Sequence, residues 1–305
     1  MASKRVGERV RRSGSAVALG LLLSIVVLAG PAAADDPLFL NWSEQLPGMT
    51  HGYDANSANE CTSGRIQCVD AVVREMTKRF DRLAAACDHD TMFALAYLRT
   101  TEEYKRSATT AGFYSDVDFI NHEDAVFASY YFEAYDAWHR GDVANVPPAW
   151  RLALQAADQK SVNGSTNITL GISAHINRDL PFVLWEIGLV KPDGSSRKPD
   201  HDKVNEFLNK VVLFPEANRR FDDTINPDSA PGLIHSIIGM RENAWRNAER
   251  LRAAENDPVA FAMVKESIEQ SAFDAGVAIK ASGLYGPLSN SSTRDAYCMA
   301  HHNDV

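Results

Sequence analysis

From residue 69 to residue 282 the apolar residues of this chain recur at three- and four-residue spacing almost without interruption. That is the period of a helix with one buried face, whereas a half-buried strand alternates every second residue. No such alternating run is present, and no segment repeats at a fixed period. The pattern predicts helices over 69–87, 90–108, 122–141, a segment opened by Pro147 and Pro148, then 167–189, 202–220 with a break near Pro215, 231–255 and 258–282. Asp90 is placed to cap the second of these and Gly141 to end the third, and proline is tolerated in a first turn. The expected fold is all-α, a single multi-helix globular domain of roughly eight helices spanning 69–285. An irregular segment rich in Asn, Gly, Pro and Ser (35–68) precedes it, and a C-terminal tail without regular structure (286–305) follows.

The first 34 residues read as a signal peptide rather than as part of the fold. Lys4, Arg5, Arg9, Arg11 and Arg12 form a basic start, residues 16–30 form an apolar stretch, and Ala32 and Ala34 occupy the positions of a small-residue cleavage site. Arg11-Arg12 suggests a twin-arginine signal, but the following residues fit the general secretory route better. The stretch is shorter than the roughly 20 apolar residues a membrane helix needs, and an uncleaved anchor is the competing reading. A secreted chain starting at Asp35, with no membrane-spanning segment, is therefore expected. The segment carries five basic residues and one acid, a net +4, so a whole-chain charge of −9 leaves −13 on residues 35–305. An acidic chain with no Lys/Arg cluster lacks the basic footprint of a nucleic-acid binder. The partner is then an unknown small molecule, lipid or protein.

Export favours oxidation of the four cysteines, Cys61, Cys68, Cys87 and Cys298. Cys61 and Cys68 bracket a short polar loop and are the easiest pair to close. Cys87 is then left to tie the end of the first helix to the C-terminal tail. A zinc site is the competing reading, although no C-x-x-C pair occurs.

Sequence motifs for phosphate loops, dinucleotide folds and zinc-protease helices are absent. Gly171-Ile172-Ser173-Ala174-His175 has only a faint likeness to a nucleophile elbow, and its helical surroundings do not suit one. More informative are polar residues on apolar helix faces. His175 and Asp179 are four apart and share a face with Ile168, Ile172 and Phe182. Asn177 lies between them, and Pro181 removes a backbone hydrogen bond just beyond. Asp124 and Tyr131 fall in the stripe of Phe127, Tyr135 and Trp138, and Arg241 in that of Ile237, Ile238, Trp245 and Ala248. A buried guanidinium needs a carboxylate, and Asp179 and Asp124 are the candidates. His175, Asp179 and Arg241 are thus expected to meet in one buried cluster, with Asp124 or Tyr131 at its edge and Asn177 nearby. As catalytic groups they would carry acid–base chemistry, and the His175–Asp179 spacing also suits a divalent metal such as zinc. The same residues serve equally well as a satisfied polar network that holds helices in register.

The segment "LGISAHINRDLPFVL", with "FASYYFEAYDAWHRGDVANVPPAW" before it and "DHDKVNEFLNKV" and "RENAWRNAERL" after it, resembles an uncharacterised bacterial family, the domain of unknown function numbered 5995. The likeness covers roughly 69–255, and Phe127, Tyr131, Trp150, His175, Asn177, Asp179, Pro181, Asp202, Asn205, Arg241 and Trp245 match its pattern. Ser173 stands where that pattern carries Asn. The resemblance implies no activity. Leu170-Gly171, His175, Asp179 and Pro181 are also similar to a metal-ligand helix of the zinc-dependent phospholipase C and single-strand nuclease enzymes. That likeness implies metal ligands at His175 and Asp179. It departs from the pattern because 182–189 contains no further histidine and Asp35 is not the expected N-terminal ligand. Two functions follow: a hydrolase with a helical pocket around His175 and Asp179, or a non-catalytic secreted helical domain that binds an apolar ligand or partner.

Overall fold

In the computed structural model, residues 49–211, 213–285 and 291–304 are described. The expected signal peptide and the stretch 35–48 lie outside them. Among the described residues all regular structure is helical, apart from two isolated bridges, Val162–Leu284 and Val190–Ser196. We number the α-helices α1 (Ile66–Ala86), α2 (Thr91–Ala108), α3 (Val117–His139), α4 (Pro148–Asp158), α5 (Gly164–Ser173), α6 (Leu180–Ile187), α7 (Lys198–Leu208), α8 (Phe214–Arg220), α9 (Ala230–Ala254), α10 (Pro258–Ser282) and α11 (Ser291–His301). A six-residue π-helical segment, Ala174–Asp179, joins α5 to α6 without a break in the rod.

Local chemistry sets most of the ends. Cys87 takes a left-handed backbone at the end of α1, where its N–H and that of Asp88 donate to Ala84 and Leu83. Gly141, also left-handed, closes α3. Asn163 caps α5 and Asp257 caps α10. Asp116 caps α3, which starts earlier than its apolar periodicity suggests. Asp90 makes no cap bond; its carboxylate faces His139 at 3.2 Å.

The rod α5–π–α6 is the hub of the molecule. α2, α3, α4, α9 and α10 all pack against some part of it, and none of residues 164–187 is exposed. The close α2–α5 crossing depends on Gly171, where a Cβ would lie 2.3 Å from the Phe93 ring.

Cys61–Cys68 and Cys87–Cys298 are disulfide-bonded, with Cα separations of 4.9 and 5.9 Å. No cysteine is left for zinc. The C-terminal tail differs from expectation, because residues 291–301 form α11. It has no apolar stripe to reveal it; what buries it is the Cys298 bridge and Arg294, which donates to Asn167 at 2.7 Å. No helix among the described residues is long and apolar enough to cross a membrane.

Candidate functional site

The π-helical segment lies immediately before Pro181. A proline in a helix interior has no N–H to give and crowds the carbonyl four residues back. The chain answers with wider turns rather than a sharp kink. Leu180 N–H donates to His175 O, five residues back, and the rod continues. Such π turns are rare and concentrate at functional sites.

This segment presents His175 and Asp179 together. His175 Nδ1 lies 2.9 Å from Asp179 Oδ2. Trp150 Nε1 donates to that same oxygen at 2.8 Å, and Arg178 donates to Oδ1 at 3.0 Å while also gripping Glu269. Asp179 is completely buried and His175 nearly so. Burial holds the imidazole below its ordinary pKa, outweighing the opposite pull of the Asp179 hydrogen bond and charge, so the ring is neutral at pH 7. With a carboxylate facing Nδ1, we assign that nitrogen as the N–H donor and Nε2 as the bare acceptor. Nε2 is buried and has no hydrogen-bond partner among the described residues. Phe127 stacks on the ring at 3.5 Å, and Tyr97 meets it edge-on at 4.5 Å. The Tyr97 hydroxyl is likewise buried and unpartnered.

Arg241 lies elsewhere than expected. Its Nη2 donates to His201 O at 2.7 Å and touches the His201 ring, and its Nε donates to Asn205 at 3.0 Å. His201 in turn pairs with Glu123 at 2.8 Å. Burial pushes the Glu123 carboxyl up, but His201 and Arg241 outweigh it and hold the acid below its usual range. Arg241 therefore pairs with neither Asp179 nor Asp124. Asp179 is taken by Arg178, its chain neighbour. Asp124 sits one residue from the face of α3 that meets α7, so Glu123 holds that place. Asp124 is part-buried, and burial together with the adjacent Glu123 raises its pKa to about 8.

A pocket of about 130 Å³ brings His175 and Arg241 to one space. Its wall is otherwise apolar, with Phe93, Phe127, Ile172 and Leu233 among the residues, and Tyr97 and Thr100 supply its hydroxyls. Thr100 donates to Ala96 O, one turn back. Asp179 stands behind His175, outside the lining. Tyr131 is in the aromatic cluster, 6.3 Å from His175 and 5.3 Å from Trp150. Asn177 points away, donating to Ser173 Oγ at 3.0 Å and reaching Met240. Ser173 thus has a structural partner.

The expected metal pair does not fit a cation. One Asp179 oxygen is shared by Trp150 and His175, and the other carries the Arg178 guanidinium. Among the described residues no group of three or more His, Cys, Asp or Glu side chains is placed to hold a metal ion.

Sequence reasoning assigns no role to Glu123, His201, Tyr97 or Arg178, although Arg178 stands in the same polar stretch as His175 and Asp179. His201 and Asn205 are four apart on α7, a signal visible beforehand; Tyr97 lies in an apolar run where nothing marks it.

Fold and site together define an all-α, disulfide-bonded domain with a polar-tipped apolar pocket at its hub. The chain belongs to the family of unknown function DUF5995, which matches residues 69–282. No curated protein and no solved structure matches the chain.

Proposed function

We propose that this chain binds a small apolar molecule in the pocket beside the π-helical segment, and that His175 and Tyr97 meet the ligand's polar group. One observation carries the reading. A bare acceptor, His175 Nε2, and an unpartnered hydroxyl, Tyr97, sit on adjoining rings. A buried polar group without a partner costs about 1–3 kcal/mol, and a ligand hydroxyl satisfies both at once. The space matches a substituted benzene or a short alkyl chain, since a dry cavity of about 150 Å³ takes benzene. The two disulfides support a secreted setting, with a mature chain that begins near Asp35. N-terminal sequencing of exported protein checks that start.

The test is calorimetric titration with 2-phenylethanol, with toluene as the control that lacks a hydroxyl. His175→Asn keeps a donor for Asp179 but removes the Nε2 acceptor, whereas His175→Ala would also open a cavity under Phe127. His175→Asn should weaken 2-phenylethanol roughly fivefold, one hydrogen bond of about 1 kcal/mol, and leave toluene unchanged. Absence of saturable binding by either compound in the unaltered protein would sink the reading.

A catalytic reading is favoured by the Asp179–His175 pair itself, a neutral base with its tautomer fixed. Nε2 would take a proton from water as that oxygen bonds to an ester carbonyl carbon. The carbon–oxygen bond to the leaving alcohol would then break, and the imidazolium would return the proton to it. Release of 2-phenylethanol from 2-phenylethyl acetate, abolished by His175→Asn, distinguishes catalysis from binding alone.

A further inference from the structure

Four arginines are buried among the described residues: Arg79, Arg197, Arg241 and Arg294. Three have a carboxylate oxygen within 4.0 Å. Arg79 meets Asp136 at 2.7 Å, Arg197 meets Asp116 at 2.7 Å and Arg294 meets Asp222 at 3.8 Å. Arg241 is the exception: no carboxylate among the described residues comes that close. Its Nε and Nη2 are engaged by Asn205 and His201, but Nη1 donates no hydrogen bond among the described residues. Tyr114 and Asp202 act on the guanidinium only through space, and Glu123 does so from beyond His201.

A guanidinium stays charged in a protein. Buried without a direct counter-ion it is costly, and its planar fork is suited to a carboxylate. Arg241 nevertheless lines the apolar pocket, on the same wall system as His175. We propose that the ligand of this pocket is an apolar carboxylic acid bound as its anion, the carboxylate on Arg241 and the hydrocarbon body along the aromatic and aliphatic lining. His175 is an unsuitable seat for that anion, because its Nε2 lone pair would face the carboxylate oxygens. Arg241 fixes the charged end, and the Tyr97–His175 pair reads a hydroxyl on the body where the ligand carries one. This assignment rests on the binding reading above and adds the chemical class.

The deciding comparison is made on the unaltered full chain, titrated at pH 7.5 and low salt with the phenylacetate anion and with 2-phenylethanol. The two share a body and differ in charge. The anion should bind at least tenfold tighter. Arg241→Gln should bring the ratio to about one. Arg241→Lys, which keeps charge but not the fork, should retain part of the preference. Because Arg241→Gln also gives up the bonds to His201 and Asn205, the wild-type ratio stands as the primary result. If the alcohol binds and the anion binds no tighter, the carboxylate assignment is overturned and the binding reading survives. If neither compound binds, the binding reading fails and takes this inference with it.

Discussion

Asp124 buries one carboxylate oxygen, Oδ2, without a hydrogen-bond partner among the described residues, and its neighbour Glu123 adds repulsion. Its folded pKa, about 8, stands well above the ordinary carboxylate value of 3.8. The folded state therefore binds a proton that the unfolded state has released, and stability is lost as pH rises from about 4 to about 8. Asp124→Asn removes this dependence. The variant and the parent should be equally stable near pH 3.5. The variant should gain steadily up to pH 8, by at least about 1 kcal/mol, because solvent screens a part-buried group. Urea unfolding at four pH values checks it, and a pH-independent difference would show that the acid is not held neutral. The residue scale is also where the sequence was hardest to read. Polar residues on apolar faces marked His175, Asp179 and Arg241 as inward-facing, but facing inward does not choose a partner. Arg178 took Asp179 through a bond between chain neighbours, and Glu123 rather than Asp124 met His201. The first is a bond between chain neighbours and the second a shift of one residue, roughly 100° about the helix axis, and a spacing pattern ranks neither against the alternatives.

At the scale of the element, the rod α5–π–α6 shows how a sequence anomaly becomes a site. Pro181 announced a disturbance, and the structure absorbs it in a wider turn that keeps His175 over Asp179. The helix was legible because its apolar residues are continuous; the π turn was not, because no spacing rule distinguishes it from a kink. α11 was missed for the opposite reason, since a short polar helix held by one bridge and one arginine leaves no stripe. Gly171 supplies the test of how closely the rod is gripped. Alanine in a helix interior is favoured over glycine by about 1 kcal/mol, but overpacking a tight contact costs about 1–3 kcal/mol. Here the added Cβ meets the base of the Phe93 side chain at 2.3–2.7 Å, too near for a simple rotamer change. Gly171→Ala should therefore be a net loss, and Phe93, displaced, should reshape the pocket wall. Thermal unfolding decides the sign; a stabilised variant would mean that α2 and α5 part without cost.

At the scale of the whole molecule, the two disulfides act on very different lengths of chain. Cys61–Cys68 closes a separation of 7 residues and Cys87–Cys298 one of 211. A cross-link stabilises chiefly by restricting the unfolded chain, and the restriction grows with the logarithm of loop length. The relation gives roughly 2 kcal/mol for the short loop and roughly 5 for the long one. The long bridge also has a local task. It pins α11 across the end of α1, where Arg294 reaches His89 and Asn167 and Asp295 meets His89 and Lys160. Its loss should therefore free α11 before the hub unfolds. The Cys87→Ser/Cys298→Ser variant should lose about twice the stability lost by Cys61→Ser/Cys68→Ser, with early hydrogen exchange confined to 291–301. The hub rod is far from both ends of that bridge in sequence, and although Arg294 of α11 donates to Asn167 at its N-terminal end, most of its contacts come from α2, α3, α4, α9 and α10. Ligand affinity at the pocket should then survive removal of either bridge at temperatures where the variant is folded. Equal losses for the two variants would point to strain or residual structure outweighing loop entropy, and loss of pocket binding with the hub intact would show that α11 supports the site through Asn167 or through α8, both of which it contacts.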